Sequence, residues 1–515
     1  PQSPIPFKLY LLLLFKFLKK ILILKFKFKM GGELTNPNKS DKEVLSIYSV
    51  GDNSYGNIYY LNNKDLNIKR LFMDNYYQCF AIDNNNNLYS WGLNNYYQLA
   101  NGKNSKYLFN TNESDSKKTN QSNFSIISSS SNNTIIKTIK NIGNIFSSPS
   151  SIPMEVSKIK TISCGNGFTL FLTNNGLVYS VGRNDKGQLG YELNSNTALI
   201  VDGILCNNKL TCIEYFVKNK INIDNIICGA DFCFALESLN IDENDDIEYN
   251  GIYSWGNNEL NQLGIEENKY KYYFNPIKAD LVTKILNKQR TKIKKLVCGW
   301  SHSCLLTKNN MIYLWGNPFK EYNKNYKNIK EPININKIKN SKIIQISSGF
   351  NHIAVLSKFY NSKIELYTFG ANEFGQLGYP TEEIFIDQFN KVEIPKTELN
   401  ENLEIKKIEC GAYHTLIQMG NNLIYGFGQN NCKQIGNYQD EFLSSPKKWN
   451  YIIDNNKDKI LYDIKCSNSI SCLLYKTRPE IKEEKNEEKI IEDKIDEKIM
   501  VNSLRTEDVP LNKII

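Results

Sequence analysis

From residue 44 to residue 477, short runs of alternating apolar and polar residues recur, each broken by glycine or asparagine. Ile162 and Cys164, then Leu170 and Leu172, show the two-residue period of a strand with one buried face. Joints between paired runs, such as Asn174-Asn175-Gly176, Asn309-Asn310 and Asn421-Asn422, suit tight hairpins because Asn and Gly tolerate positive φ. The pattern predicts an all-β chain of short antiparallel strands.

Two motifs alternate along it. The first reads VGDNSYGNI (50–58), WGLNNYYQL (91–99), VGRNDKGQL (181–189), WGNNELNQL (255–263), FGANEFGQL (369–377) and FGQNNCKQI (427–435), and LWGNPFKEY (314–322) is a seventh copy with Pro318 in the asparagine slot. Its glycines Gly92, Gly182, Gly256, Gly316, Gly370 and Gly428 follow a strand. Its amides Gln98, Gln188, Gln262, Gln376 and Gln434 are placed to hydrogen-bond loop backbone, beside a Leu or Ile that enters the core. The second motif reads LFMDNYYQCF (71–80), ISCGNGFTLF (162–171), IICGADFCFA (226–235), LVCGWSHSCL (296–305), ISSGFNHIAV (346–355), IECGAYHTLI (408–417) and IKCSNSISCL (464–473), and its turn glycines are Gly165, Gly229, Gly299, Gly349 and Gly411. A Cβ at those turns would clash.

Taken alone, VYSVGRNDKGQLG (178–190) looks like a phosphate-binding loop, but Lys186 is followed by no Ser or Thr and the loop recurs around the whole chain. It is a structural repeat. The copy at 50–58 lacks its preceding partner and the copy at 464–473 lacks its following one, so the two ends make one unit. Six whole repeats and this composite predict a seven-bladed β-propeller closed by N- and C-terminal strands, which removes exposed sheet edges.

Outside the ring, residues 1–43 read as a mostly disordered extension that does not belong to the fold. The longest uncharged run of its lysine-punctuated part, Leu9 to Phe15, is too short for a membrane span, and the first methionine is Met30. Extra upstream sequence or a gene-model error, a targeting or anchor segment, and an interfacial basic helix are the readings that compete for residues 1–29. Residues 103–155, rich in Ser and Asn, read as a disordered low-complexity insertion, with shorter insertions around 240–250 and 265–292. In the charged tail, 478–515, Ile491, Ile495 and Ile499 share one helical stripe.

Charge and cysteine narrow the function. Seven of the nine net positive charges lie in residues 1–29, so the remainder offers little for chromatin or other nucleic acid. The twelve cysteines include no Cys-x-x-Cys pair and most occupy repeated strand positions, as reduced, buried thiols of a cytoplasmic or nuclear protein do. Cys298-x-x-x-His302-x-Cys304 looks like a zinc set, but its histidine slot holds Phe232 in another copy, so no metal is expected. No catalytic constellation, cofactor site or small-molecule substrate site separates from the repeat background.

The alternation of x-Cys-Gly-x-x-His-(Thr/Ser) with Tyr-Ser-Trp-Gly-x-Asn-x-x-Gly-Gln-Leu-Gly resembles the regulator of chromosome condensation repeat across residues 44–477. The Trp-Asp ending of tryptophan-aspartate repeats and the double-glycine strand of kelch repeats are not found. The resemblance implies a monomeric protein-interaction scaffold that binds a regulatory protein. The alternative it implies is a guanine-nucleotide exchange factor for a Ran-like small GTPase, acting by binding the nucleotide-free GTPase better than the loaded one. In the founding exchange factor, acidic and histidine residues of the second-motif turns face the GTPase. By that resemblance Asp231 takes the acidic slot and His302, His352 and His414 the histidine slot. Trp300 and Tyr413 complete the partner-binding candidates. The other reading of the histidines is that they fix loop geometry by hydrogen bonding. Gly167 and Tyr76 replace the acid elsewhere, and Phe168, Tyr77 and Ile470 replace the histidine. Ultraviolet-B photoreception, also known in the family, uses clustered tryptophans in Gly-Trp-x-His turns, and this chain has one such turn, at Trp300.

Overall fold

The computed structural model describes residues 45–52, 68–84, 86–100, 137–139, 158–238, 249–266, 269–318, 328–395, 404–420, 422–449 and 459–477. The expectations for 1–43, for 478–515 and for most of 103–155 fall outside them.

Seven antiparallel blades follow one another around a ring. Their inner strands are Ile68–Met73, Ile159–Gly165, Ile223–Cys228, Ile293–Cys298, Ser341–Ser348, Ile405–Cys410 and Lys459–Ser467, which number blades 1 to 7. In each blade the second-motif turn leads to a second strand, which pairs antiparallel with a third, and in blades 1 to 6 that third strand comes next in the chain. The first-motif loop then follows in blades 1, 2, 3, 5 and 6, and in blades 1 to 6 an outer strand is described. Blade 7 is the composite. Leu45–Gly51 from the start of the chain pairs along its length with Ile470–Thr477, from Leu45 opposite Lys476 to Gly51 opposite Ile470.

The first-motif loop is built identically five times. Asn184 Oδ1 accepts from the Leu189 amide at 2.9 Å and Gln188 Oε1 from the Lys186 amide at 2.8 Å; Asn94 with Gln98, Asn258 with Gln262, Asn372 with Gln376 and Asn430 with Gln434 repeat both bonds. These amides satisfy loop N–H groups that no strand reaches. The loop also holds the next blade, since the carbonyl of Gln262 accepts from Trp315 Nε1 at 2.9 Å and Ser303 Oγ at 2.8 Å. Gly316, at φ +91°, makes the entry to this loop in blade 4, where a Cβ would lie 2.5 Å from the Ser301 carbonyl oxygen.

The core lies between blades. Phe234 of blade 3 meets Trp315 of blade 4 edge-on at 6.1 Å, inside a cluster that draws on blades 3, 4 and 5. Each blade thus buries a face it could not bury alone.

Three details differ from the sequence reading. Lys137–Ile139, inside the 103–155 insertion, pairs with Leu88–Gly92 as the outer strand of blade 1. Residues 265–292 carry the outer strand Tyr272–Lys278 and a helix, Asp280–Lys288, rather than an irregular insertion. In blade 1 the second-motif turn is one residue longer than elsewhere. Gln78 pairs with Gly92 as His302 pairs with Gly316, so Gln78, not Tyr77, holds the histidine slot.

Candidate partner-binding face

The seven second-motif turns share one end of the ring. Their backbones join blade to blade: Asn166 N donates to Ala230 O (2.8 Å), Trp300 N to Phe350 O (2.9 Å), Phe350 N to Ala412 O (3.0 Å) and Ala412 N to Asn468 O (2.9 Å). This annulus brings one residue of each turn toward the ring axis. Large Tyr76, Trp300 and Phe350 pack there with small Ala230 and Ala412 and close that end of the channel as an apolar plug. Ring centroids of Trp300 and Phe350 lie 4.8 Å apart, those of Tyr76 and Phe350 5.5 Å, and those of Phe350 and Tyr413 5.4 Å. Tyr76 and Phe350 are buried, whereas Trp300 and Tyr413 stay half-exposed. Above them opens a depression of about 310 Å³ whose wall also includes Tyr77, Asn166, Asn351 and Asn468, with no charged residue.

The three histidines lie beneath this surface. His302 Nε2 meets Ser348 Oγ, His352 Nε2 meets Thr415 Oγ1 and His414 Nε2 meets Ser471 Oγ, each at 3.0 Å and each in the following blade. All three rings are buried, and burial lowers each pKa from 6.5 to about 3, so they stay neutral. Gln78 plays the same part in blade 1, with its Nε2 donating to Gly165 O at 3.0 Å. The turn glycines make room for the rings, since a Cβ on Gly299 would sit 2.1 Å from His302 Cε1. Of the two readings of the histidines, their geometry is that of hydrogen-bonded struts between blades.

Asp231 is also engaged. Its carboxylate takes Arg183 Nη1 at 3.1 Å and Lys186 Nζ at 2.6 Å, both from the first-motif loop of blade 2. Arg183 further pairs with Asp185, at 2.6 Å through Nε and 2.8 Å through Nη2. Burial works against ionisation of Asp185, but its bonds from Arg183 and Gln188 hold its carboxyl below the usual range. Two acids and two bases thus balance at the rim. Phe350 and Arg183 were absent from the sequence-based candidates. The recurring aromatic after the turn glycine signals the first, while nothing local signals that Arg183 meets a residue 48 positions away.

Two family models described as the Regulator of chromosome condensation (RCC1) repeat match this chain, one over residues 159–188, 293–320 and 405–434 and the other over 175–236, 250–306 and 365–418. Together with seven blades carrying those repeats, this decides the family. The chain belongs to the regulator of chromosome condensation repeat family. The Ultraviolet-B receptor UVR8 of Arabidopsis thaliana is 25% identical over 283 residues, covering 54% of this chain and 55% of that protein. The Secretion-regulating guanine nucleotide exchange factor of Bos taurus is 22% identical over 287 residues, covering 54% and 53%. The chain therefore spans about half the length of these relatives. Among solved structures, Prp20p of Saccharomyces cerevisiae, described for its binding to Gsp1p and histones, superposes with a TM-score of 0.58 at 16% identity, covering 88% of this chain and 95% of that one. At that identity the likeness concerns the repeat-family fold.

All twelve cysteines are unpaired. Among the described residues no helix is long and apolar enough to cross a membrane.

Proposed function

We propose that this chain is a protein-interaction scaffold of the cytoplasm or nucleus, and that the end of the ring closed by the aromatic plug is its docking face. The observation that carries this reading is the half-exposed pair Trp300 and Tyr413 around an uncharged depression of about 310 Å³. Aromatic anchors packed on a rigid buried base are what interface hot spots are made of. The annulus and the histidine struts supply that base and hold the face without cost at the moment of binding. Of the sequence-based candidates, Trp300 and Tyr413 make the contact, and Asp231, His302, His352 and His414 shape the surface from below.

The exchange-factor reading draws support from the description of the Bos taurus relative and from the binding of Gsp1p by Prp20p. It needs polar side chains free to engage a GTPase, whereas Asp231 is already shared by Arg183 and Lys186 and the histidines are spent on the next blade. Photoreception has less support, since the aromatic neighbours of Trp300 are Tyr76 and Phe350. The test is proximity labelling with the full chain and with Trp300→Ala/Tyr413→Ala. A set of proteins labelled by the first and lost with the second, at unchanged melting temperature, is expected. Identical labelling by both would overturn the docking face. Accelerated release of labelled GDP from a Ran-like, Rho-like or Arf-like GTPase would replace the scaffold reading with the exchange factor.

A further inference from the structure

The central channel carries a charge that the docking face does not use. In all seven inner strands the register slips after an early apolar residue, from Ile68/Arg70 in blade 1 to Leu461/Asp463 in blade 7. Such a bulge re-aims the side chain beyond it. In three blades that side chain bridges to the next inner strand: Arg70 Nη2 donates to Ile159 O at 2.6 Å, Gln345 Nε2 to Ile408 O at 2.6 Å and Lys407 Nζ to Ile464 O at 3.0 Å. Lys295 holds the same place in blade 4 and, among the described residues, makes no hydrogen bond or ion pair.

Lys295 opens into a cavity of about 300 Å³ whose wall takes residues from all seven inner strands. The other charged groups on that wall are committed. Lys294 Nζ donates to Ile343 O at 2.6 Å. Asp74 Oδ2 accepts from Ser163 Oγ at 2.9 Å and from Cys164 N at 2.6 Å. Glu409 is shared by Lys407 at 2.9 Å and Lys465 at 3.6 Å, while Lys407 also pairs with Asp463. Burial opposes the ionisation of Glu409, yet the ammonium groups of Lys465, Lys407 and Lys295 together hold its carboxyl below the usual range. Two carboxylates, Asp74 and Glu409, share the wall with three lysines, Lys294, Lys295 and Lys465, and Lys295 is the one whose side chain is left without a bond among the described residues. Lys295 stays exposed to water in part of its length, while the surrounding wall desolvates its ammonium and pulls its pKa below that of a free lysine.

We propose that the central channel binds a small oxyanion, a phosphate or a carboxylate, with Lys295 as its anchoring cation. An anion there would supply the counter-charge that the wall withholds. The Ser163, Asn225 and Ser347 side chains of the same wall add neutral polar groups. The cavity has room for roughly ten waters' volume, which suits an ion the size of phosphate or succinate.

Calorimetric titration of the full chain with inorganic phosphate, and separately with succinate, tests this. Saturable binding of at least one is expected, and which one distinguishes a phosphate site from a carboxylate site. Lys295→Met should weaken that binding by roughly tenfold to a hundredfold, as loss of a charge-assisted hydrogen bond does, and Lys295→Arg should keep most of it. The ion should raise the melting temperature of the wild type and of Lys295→Arg, but not of Lys295→Met. Lys295→Gln takes the place of Lys295→Met should the latter fail to fold. Absence of saturable binding of both ions, or binding unchanged when Lys295 is neutralised, overturns the site.

Discussion

Acid should loosen this ring in a way that three histidines account for. His302, His352 and His414 have pKa values near 3 in the folded chain, against 6.5 when exposed, because each ring is buried with only a hydroxyl at Nε2. The Nδ1 atoms of His302 and His352 have no partner, so a proton there would create an uncompensated buried cation, and at His414 the Asn468 backbone offsets burial only in part. His302 and His414 further disfavour the charge on His352. Between pH 6.5 and 3 the unfolded chain binds protons at these sites that the folded chain does not. Stability is therefore complete above pH 6.5 and falls as the pH drops. At pH 5, 1.5 units below the ordinary value, each histidine costs about 2 kcal/mol, and the three together about 6 kcal/mol. That is a large part of the roughly 5–15 kcal/mol by which a domain is stable. The assay is denaturant unfolding at pH 7.5, 6.0 and 5.0, a range that stays above most carboxylate titration. The comparison is a His302→Gln/His352→Gln/His414→Gln variant, chosen because Gln78 already fills the equivalent slot and reaches the next blade. The wild type should lose stability steeply below pH 6.5, and the variant should be nearly flat. A variant that follows the wild-type slope, or a wild type equally stable at pH 7.5 and 5.0, would refute the buried-strut account.

Two further outcomes follow from single contacts. Asp231→Ala strips the carboxylate from Arg183 and Lys186. Because Asp185 still holds Arg183, a loss near the lower end for a broken buried pair, about 3 kcal/mol, is expected by denaturant unfolding, and a neutral result would remove the cluster from the account of the rim. Truncation of residues 1–51 removes the strand that pairs with Ile470–Thr477 and opens blade 7. Aggregation or a cooperative fall in melting temperature by scanning calorimetry should result, and an unchanged monomer would contradict closure by the composite blade.

The ring itself was legible in the chain. Two-residue periodicity, hairpin asparagines and seven copies of two motifs are local signals, and each copy reports the same contacts of Asn and Gln within nine residues of itself. The split repeat at the ends was equally readable, because a missing half at each terminus leaves one way to close. What the local pattern could not show is anything that joins one blade to the next. The extra residue in the blade 1 turn slid the alignment by one and disguised Gln78, and only the pairing with Gly92 corrected it. Asp231 looked like a free acid because Arg183 and Lys186 approach it from the preceding blade. The histidines looked available because Ser348, Thr415 and Ser471 lie 46 to 63 residues further on. Lys295 carries no local mark in the sequence, and only the seven inner strands together place it on a channel wall. Sequence period sets which face of a strand is apolar, but in a propeller both faces and the inner edge meet other blades. Partners of buried polar groups are therefore decided by ring closure, which brings together residues that no local pattern relates.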